Sequence, residues 1–230
     1  MFSGEVAFEP STLTRSFSLS VNEHCQLRLL NKADADELFA LIEANRTYLK
    51  QWLSWLETTQ TVDDTRHFIQ LTRDRYQDKQ GFAAALCYQQ HIVGIAGLNG
   101  IDWANRRSSI GYWIAQSYQG KGLITHACKA ILNYAFGELN LNRIEILCAA
   151  QNTRSQAIPH RLGFTYEGTL REAQWLNAHF VDHHIYSILQ RDWRSPTSQS
   201  PIEPASNPAT DSSADSSAEP AESRQQPQPH

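Results

Sequence analysis

The chain has 230 residues with a formal net charge of −4, and 41% of its residues are hydrophobic. This length accommodates one full domain with a tail, or two small domains. No apolar run approaches the length that spans a bilayer, and the N-terminus lacks the basic and apolar regions of a signal peptide. We therefore expect a cytoplasmic protein with no membrane partner.

The C-terminal segment, residues 195–230, differs in composition from the rest of the chain. It holds seven of the nine prolines and no aromatic residue, and its five acids against one base give it a net charge of −4. Such a segment cannot bury enough apolar surface to offset the entropy cost of ordering, so we predict a disordered acidic tail. Residues 1–194 then carry no net charge, which argues against nucleic acid as a partner. We predict one folded domain over residues 23–194, preceded by an irregular arm over residues 1–22.

The cysteines are widely spaced and form no CxxC pair, which favours buried, reduced thiols over disulfides or metal ligands. They are Cys25, Cys87, Cys128 and Cys148. Three histidines near the end of the domain, His179, His183 and His184, raise the question of a metal site. Residues 183 and 184 would point to opposite faces of a strand, however, and no cysteine completes a ligand set, so we expect no metal.

The first half of the domain predicts a strand, three helical segments and a hairpin. Residues 25–30 form the strand, Asn31 can cap a helix, and residues 49–56 continue the apolar helical pattern. Asp63 and Asp64 then open a third helix. Residues 82–88 and 92–98 make a hairpin around a polar turn.

The second half alternates strands with helices. Residues 109–115 form a strand, a glycine-containing turn follows, and the next helix presents one apolar stripe. Residues 142–149 form another strand, residues 155–162 a short helix that Gly163 ends, and residues 164–176 and 180–190 a final hairpin. This order predicts a mixed α/β (α+β) layer of about seven strands flanked by helices.

The turn Gln119-Gly120-Lys121-Gly122-Leu123-Ile124 joins a strand to an amphipathic helix. Glycines at such a junction expose backbone N–H groups where the helix dipole is positive, and that combination binds phosphate. A simple tight turn is the alternative, because neither of the two common glycine-rich phosphate motifs is present.

The residues around this turn are more specific than the turn itself. They are Ile110-Gly111-Tyr112-Trp113-Ile114 before it, and Asn152-x-x-Ser155, Leu162-Gly163-Phe164, Glu167-Gly168, Ala173-Gln174-Trp175-Leu176 and Val181-Asp182-His183 after it. Their order and spacing resemble the GNAT acetyltransferase superfamily, and within it the RimJ/RimL-like branch of ribosomal-protein N-terminal acetyltransferases. The resemblance covers residues 26–193 and implies the GNAT fold.

The resemblance implies direct transfer of an acetyl group from acetyl-CoA, the co-substrate, to an amine without a metal. The pyrophosphate would bind the backbone of Gln119, Gly120, Lys121, Gly122, Leu123 and Ile124. The pantetheine would lie along the strand that ends near Ile114, and Asn152 would anchor it, with an Asx-turn as the alternative role of Asn152. Ile124 stands where the superfamily usually has Gly or Ala, so its side chain must point away from the ligand.

For catalysis, Ser155 falls where RimL-like members place a hydroxyl near the thioester sulfur, and helix capping is its alternative role. The general base is where the chain departs from the family. RimL-like enzymes commonly carry a glutamate at the position of Gln174, and a carboxamide cannot accept a proton at neutral pH. Glu172, two residues earlier and so on the same face of a regular strand, is the replacement candidate, with a solvated carboxylate as the alternative.

Three functions remain open. The first is acetylation of the α-amine of a protein N-terminus, of the ribosomal-protein-serine or ribosomal-protein-alanine type, with Trp52, Trp55 and Gln174 in the acceptor cleft. Core packing is the alternative role of the two tryptophans. The second is a small-molecule amine or antibiotic acetyltransferase, and the third is a catalytically silent acyl-CoA-binding module. The resemblance also makes a homodimer an expectation.

Overall fold

The computed structural model describes residues 17–193, so the predicted tail and most of the predicted arm lie outside the described residues. The strands are β1 Ser18–Asn22, β2 Cys25–Leu29, β3 Phe82–Tyr88, β4 His91–Asp102, β5 Arg107–Ile114, β6 Arg143–Ala149, β7 Thr165–Leu176 and β8 His179–Leu189. The helices are α1 Ala35–Leu49, α2 Val62–Gln77, α3 Leu123–Gly137 and α4 Thr153–Arg161. None of the helices in this range is long and apolar enough to cross a membrane.

The strands form one sheet in the order β1-β2-β3-β4-β5-β6-β8-β7, and only β5 and β6 run parallel. The predicted mixed α/β fold is confirmed, including the hairpins and the helix after the glycine turn. The sheet has eight strands where about seven were expected.

The additional strand, β1, lies inside the segment that was predicted to be an irregular arm. It pairs antiparallel with β2, and Phe17, just before it, is buried with its ring centroid 4.5 Å from that of Phe82. Alternate residues of β1 are exposed, so the strand carries only a weak apolar signal. The irregular-arm prediction is wrong for residues 18–22.

Local capping explains where α1 and α2 begin. Asn31 caps a 3₁₀ turn, Lys32–Asp34, that leads into α1, as its position predicted. Thr61 and Asp64 form a reciprocal capping box at the start of α2. The apolar segment after α1 is a separate 3₁₀ turn, Ser54–Glu57, and not a continuation of the helix.

The helices cover the two faces of the sheet. α3 contributes eight buried residues, Leu123, Ile124, Ala127, Cys128, Ile131, Leu132, Ala135 and Phe136, to the larger core cluster, which Ile158 of α4 joins. α1 and α2 form a second cluster with side chains from β3 and β4. Because both faces are covered, β3 and β4 are apolar almost throughout.

The pairing of β5 with β6 stops early. Their register runs only from Arg107 to Ser109 on β5 and from Arg143 to Glu145 on β6. β6 remains paired with β8 as far as Ala149, and β5 with β4 as far as Ile114. The carboxyl-terminal halves of β5 and β6 therefore separate, and a cleft opens within the sheet.

An ion-pair network joins β6 to the edge hairpin of β7 and β8. Arg143 binds the carboxylate of Glu167 through both terminal nitrogens, and the hydroxyl of Ser187 donates to the same carboxylate at 2.6 Å. These contacts lower the pKa of Glu167 to about 2. The charged form of Glu167 thus stabilises the fold.

We expect Glu167→Gln to lower the free energy of unfolding at pH 7 by about 1 kcal/mol, a modest value because Glu167 is 35% exposed and solvent screens the pair. The folded-state pKa is depressed, so the contribution is complete above the unfolded value near 4.5 and is lost as the pH falls toward 2. Urea unfolding at pH 7 and pH 2.5 measures this difference. Asp192→Asn, in an exposed pair, is the control; an equal loss at both pH values would contradict the prediction.

Candidate active site

A cavity of about 900 Å³ lies where β5 and β6 separate. The end of β5, the glycine turn, the start of α3, α4 and the end of α1 border it. Its size is in the range of small-molecule and cofactor sites. It brings together most of the residues that the sequence assigned to the site: Ile114, Gln119, Gly120, Gly122, Leu123, Ile124, Asn152, Ser155 and Trp52.

The glycine turn presents a row of open backbone donors. The first backbone bond of the helix runs from the N–H of His126 to the carbonyl of Gly122 at 3.0 Å. Across residues 17–193, the N–H groups of residues 120–125 have no hydrogen-bond partner. Gly120 and Gly122 both have φ near +73°, the left-handed region that favours glycine. This geometry fits a phosphate group at a helix N-terminus.

Two side chains at the turn clarify earlier assignments. Ile124 is 6% exposed and packs into the larger core cluster, and it also borders the cavity, so the expectation that its side chain turns from the ligand stays a prediction. The ammonium of Lys121 lies 4.9 Å from the centroid of the Tyr118 ring, and the Lys121 side chain does not border the cavity. Lys121 therefore offers its backbone N–H.

Two arginines of α4 add positive charge that the sequence reasoning missed. Arg154 donates to the side-chain oxygen of Gln119 at 2.7 Å, and Arg161 donates to the hydroxyl of Thr125 at 3.0 Å. Both border the cavity. Their spacing of seven residues, which puts both on one face of a helix, was the signal that could have found them.

Ser155 lies within α4, where its hydroxyl is 3.1 Å from the phenol oxygen of Tyr112 on β5. Asn152, not Ser155, caps the helix: its side-chain oxygen accepts the N–H of Ser155 at 3.1 Å. The alternative reading of Ser155 as the cap is therefore wrong. Its hydroxyl remains available to the cavity.

Tyr112 is a second hydroxyl at this position that the sequence did not single out as catalytic. Burial raises the pKa of Tyr112 above its usual range, so the phenol stays protonated at neutral pH. Burial also raises the pKa of the neighbouring Cys148 thiol to about 11. The pair of Ser155 and Tyr112 can supply a proton to a group bound between them.

The opposite side of the cleft is formed around Trp52, which borders the cavity and packs against Ala149, Leu176 and Val181. Trp55 is 36% exposed, does not border the cavity, and lies 6.3 Å from the Trp113 ring, centroid to centroid. The structure thus brings Trp52 to the cleft but not Trp55.

Glu172 does not occupy a regular strand position. Leu170 pairs with His183 and Gln174 with Val181, so four steps along β7 match two along β8, and Glu172 has φ of +50° in this bulge. The alternation that placed Glu172 on the same face as Gln174 therefore does not hold. The carboxylate is exposed and does not border the cavity. A catalytic role for Glu172 stays a prediction.

Among the described residues there is no group of three or more His, Cys, Asp or Glu side chains that could hold a metal ion. All four cysteines are free and buried, which confirms the prediction made for them.

A sheet that splits beside a row of open N–H groups provides a site that fits a phosphate-bearing ligand. Comparison with known proteins gives the family. The GNAT acetyltransferase domain matches residues 24–165, and the chain belongs to this family.

Relatives and solved structures agree with this assignment. The Bacillus subtilis (strain 168) protein YdaF, named as a candidate ribosomal N-acetyltransferase, is 41% identical over 178 residues, 77% of this chain and 97% of the relative. RimL, named as a ribosomal L7/L12 α-N-protein acetyltransferase and solved with coenzyme A, has a TM-score of 0.73 at 25% identity over 75% of this chain and 98% of that chain.

The microcin C7 self-immunity acetyltransferase MccE, solved with acetyl-CoA and AMP, has a TM-score of 0.70 at 32% identity over 74% of this chain and 94% of that chain. Together these findings confirm the RimJ/RimL-like branch and an acetyl-CoA-dependent acetyltransferase.

We expect Gly122→Pro to abolish coenzyme A binding. Proline fixes φ near −65°, whereas Gly122 has φ of +73°, and it also removes one N–H from the open row. Calorimetric titration with coenzyme A measures the effect. Gly137→Ala, at the far end of α3 where a Cβ meets open space, is the matched control. Retained affinity in Gly122→Pro would refute the role of the open N–H groups of residues 120–125 as a phosphate cradle.

Proposed function

We propose that the protein acetylates the α-amine of a protein N-terminus of the ribosomal-protein-serine or ribosomal-protein-alanine type, in the cytoplasm. The names of YdaF and RimL support this substrate class. The observation that carries the proposal is the character of the cavity. None of its lining residues, all of which lie within the described range, is Asp or Glu.

At the end of the cavity near Trp52, where the acceptor is placed, no carboxylate among the described residues borders the cavity, which suits an acceptor with one amine and disfavours polycations. Polyamines and aminoglycosides carry several positive charges, which a site needs acidic groups to bind. Trp52, Trp113 and Leu53 supply an apolar wall instead. A short N-terminal side chain such as that of serine or alanine fits against such a wall.

The chain's own residues then divide the work of the reaction. The open N–H row of the glycine turn and the arginines of α4 bind the phosphates of acetyl-CoA, and the unpaired edge of β5 accepts its pantetheine arm. Ser155, supported by Tyr112, donates a proton to the leaving thiolate. Asn152 holds Ser155 in place by capping α4.

We expect Ser155→Ala to lower kcat by about 10²-fold, because a positioned proton donor contributes on this scale. Steady-state kinetics with a serine-initiated peptide measures the change, and coenzyme A affinity should stay near that of the wild type. Thr169→Ala, whose hydroxyl contacts the exposed Tyr166 on the edge strand, is the control. An unchanged kcat in Ser155→Ala would remove Ser155 from the mechanism.

The acceptor is tested directly with the purified full-length chain and acetyl-CoA. We expect free thiol to appear with peptides that begin with serine or alanine, and product mass to rise by one acetyl group. The same peptides with a blocked N-terminus are the matched control, because they differ only in the reacting amine. Faster turnover of spermidine or an aminoglycoside would favour the small-molecule alternative. Coenzyme A binding without turnover of any amine would favour the silent module.

A homodimer remains part of the proposal. β7 is an edge strand, and the last hairpin exposes the large apolar side chains of Trp175 and Phe180, 55% and 56% accessible. Exposed apolar groups of this size are frequent in protein contacts. Analytical ultracentrifugation of the wild type and of Trp175→Ser tests whether copies associate there.

A further inference from the structure

Three polar side chains form a hydrogen-bonded chain beside the acceptor side of the cleft. The Nε2 atom of His183 on β8 lies 2.9 Å from Oε1 of Gln174 on β7, and Nε2 of Gln174 donates to the hydroxyl oxygen of Ser54 at 3.2 Å. His183 and Gln174 are both partly buried. None of these three hydrogen-bonded side chains has a role in the reaction steps assigned above.

The direction of the bonds fixes the state of the imidazole. With the Gln174 amide donating to Ser54, its oxygen faces His183 and accepts a hydrogen bond, so Nε2 of His183 carries the proton. In the neutral tautomer Nδ1 then holds a lone pair. Within residues 17–193 Nδ1 of His183 has no hydrogen-bond partner, so it can accept a proton.

His183 lies beside the cleft, at the end of β6, although it does not itself border the cavity. His183 pairs with Ala149, the last residue of β6 at the cleft, and by strand alternation it shares a face with Val181. Val181 and Ala149 pack against Trp52, which borders the cavity. Ser155 and Tyr112, the proton donors, belong with the face that α3 and α4 cover.

We propose that His183 is the general base that takes the proton from the acceptor amine, and that Gln174 and Ser54 are positioning residues that hold its tautomer and orientation. This inference rests on the proposed function. It gives Gln174 a use that does not require a carboxamide to accept a proton.

The reaction balances without any further reagent. The amine lone pair forms the new C–N bond to the acetyl carbon, and the nitrogen loses one proton to Nδ1 of His183. The C–S bond breaks with its electron pair on sulfur, which gains a proton from Ser155 or Tyr112. Solvent then removes the proton from the imidazolium and restores the hydroxyl. The products are the amide and coenzyme A thiol.

The groups around His183 favour its neutral form. β6 presents Ala149 and β7 presents Leu170 opposite it, and neither side chain is charged. In the sequence, the charged residues within three positions of His183, Gln174 and Ser54 are Arg171, Glu172, Asp182 and Glu57, and the imidazole of His184 adjoins His183. Burial lowers the pKa of His183 from its ordinary value of 6.5. The imidazole is therefore unprotonated at pH 7 and is lost as a base as the pH falls below that pKa.

The test compares kcat with a serine-initiated peptide across pH 5 to 9 for the wild type and His183→Gln. We expect a loss of about 10²-fold at pH 7.5. The ratio of the two kcat values cancels the titration of the peptide amine, and it should shrink toward 1 as the pH falls. Coenzyme A affinity measures folding and should not change. His179→Gln, an exposed histidine at the hairpin turn, is the matched control.

Two further variants make the outcome decisive. Gln174→Ala should lower kcat several-fold, because the imidazole loses its orientation. It should keep the acidic limb of the wild-type pH profile, the fall in kcat at low pH, because the imidazole itself remains. The role of His183 would be overturned if His183→Gln kept the wild-type kcat and pH profile, or if the ratio of the two kcat values did not change with pH. If Glu172→Gln instead lost the fall in kcat at low pH, the role of base would pass to Glu172. A wild type that acetylates no peptide would instead overturn the proposed function, and the two failures are thus distinguishable.

Discussion

The functional architecture depends on a parallel strand pair that stops pairing halfway. Beyond Ser109 and Glu145, β5 and β6 no longer share hydrogen bonds, while each remains fixed to its other neighbour. Buried main-chain groups need partners, so an interrupted pair in the middle of a sheet is costly unless another group completes it. In the proposed complex, the amide groups of the pantetheine arm would pair with the free edge of β5. The interruption also connects the two faces of the sheet, because α1 borders the cavity from one face and α3 and α4 border it from the other.

This connection lets the two halves of an acyl transfer occur on different sides of one sheet. In the proposed mechanism, the glycine turn, α3 and α4 of the cavity hold the donor and its leaving group, and the region around Trp52 receives the acceptor. The proton donors proposed here, Ser155 and Tyr112, would thereby be kept apart from the proposed base, His183. Groups of opposite function that lay side by side would hydrogen-bond to one another and lose the states that each requires.

The sequence was sufficient for features that depend on local patterns. The apolar stripe of α3, the glycine turn and the final hairpin follow from residue spacing, and the Asn152 to Ser155 segment from the family resemblance. The exposed alternation of β1 was too short and weak to separate from an arm. The bulge around Glu172 was also not visible in the sequence. A regular strand was assumed there, and the two extra residues that β7 contains change the side-chain directions that this assumption gives. The contact between His183 and Gln174 depends on that bulge, so no spacing rule could reveal it.

The four buried cysteines carry a consequence for how this protein responds to its surroundings. Cys128 lies fully buried on the face of α3 that packs on the sheet, and burial raises the pKa of its thiol far above the ordinary value. An alkylating reagent can therefore reach this sulfur only when α3 lifts from the sheet. The rate at which Cys128 is labelled therefore measures how often α3 separates from the sheet. Because α3 begins at the phosphate cradle, a nucleotide bound there should slow the labelling of Cys128. Occupancy of the donor site can then be followed without turnover.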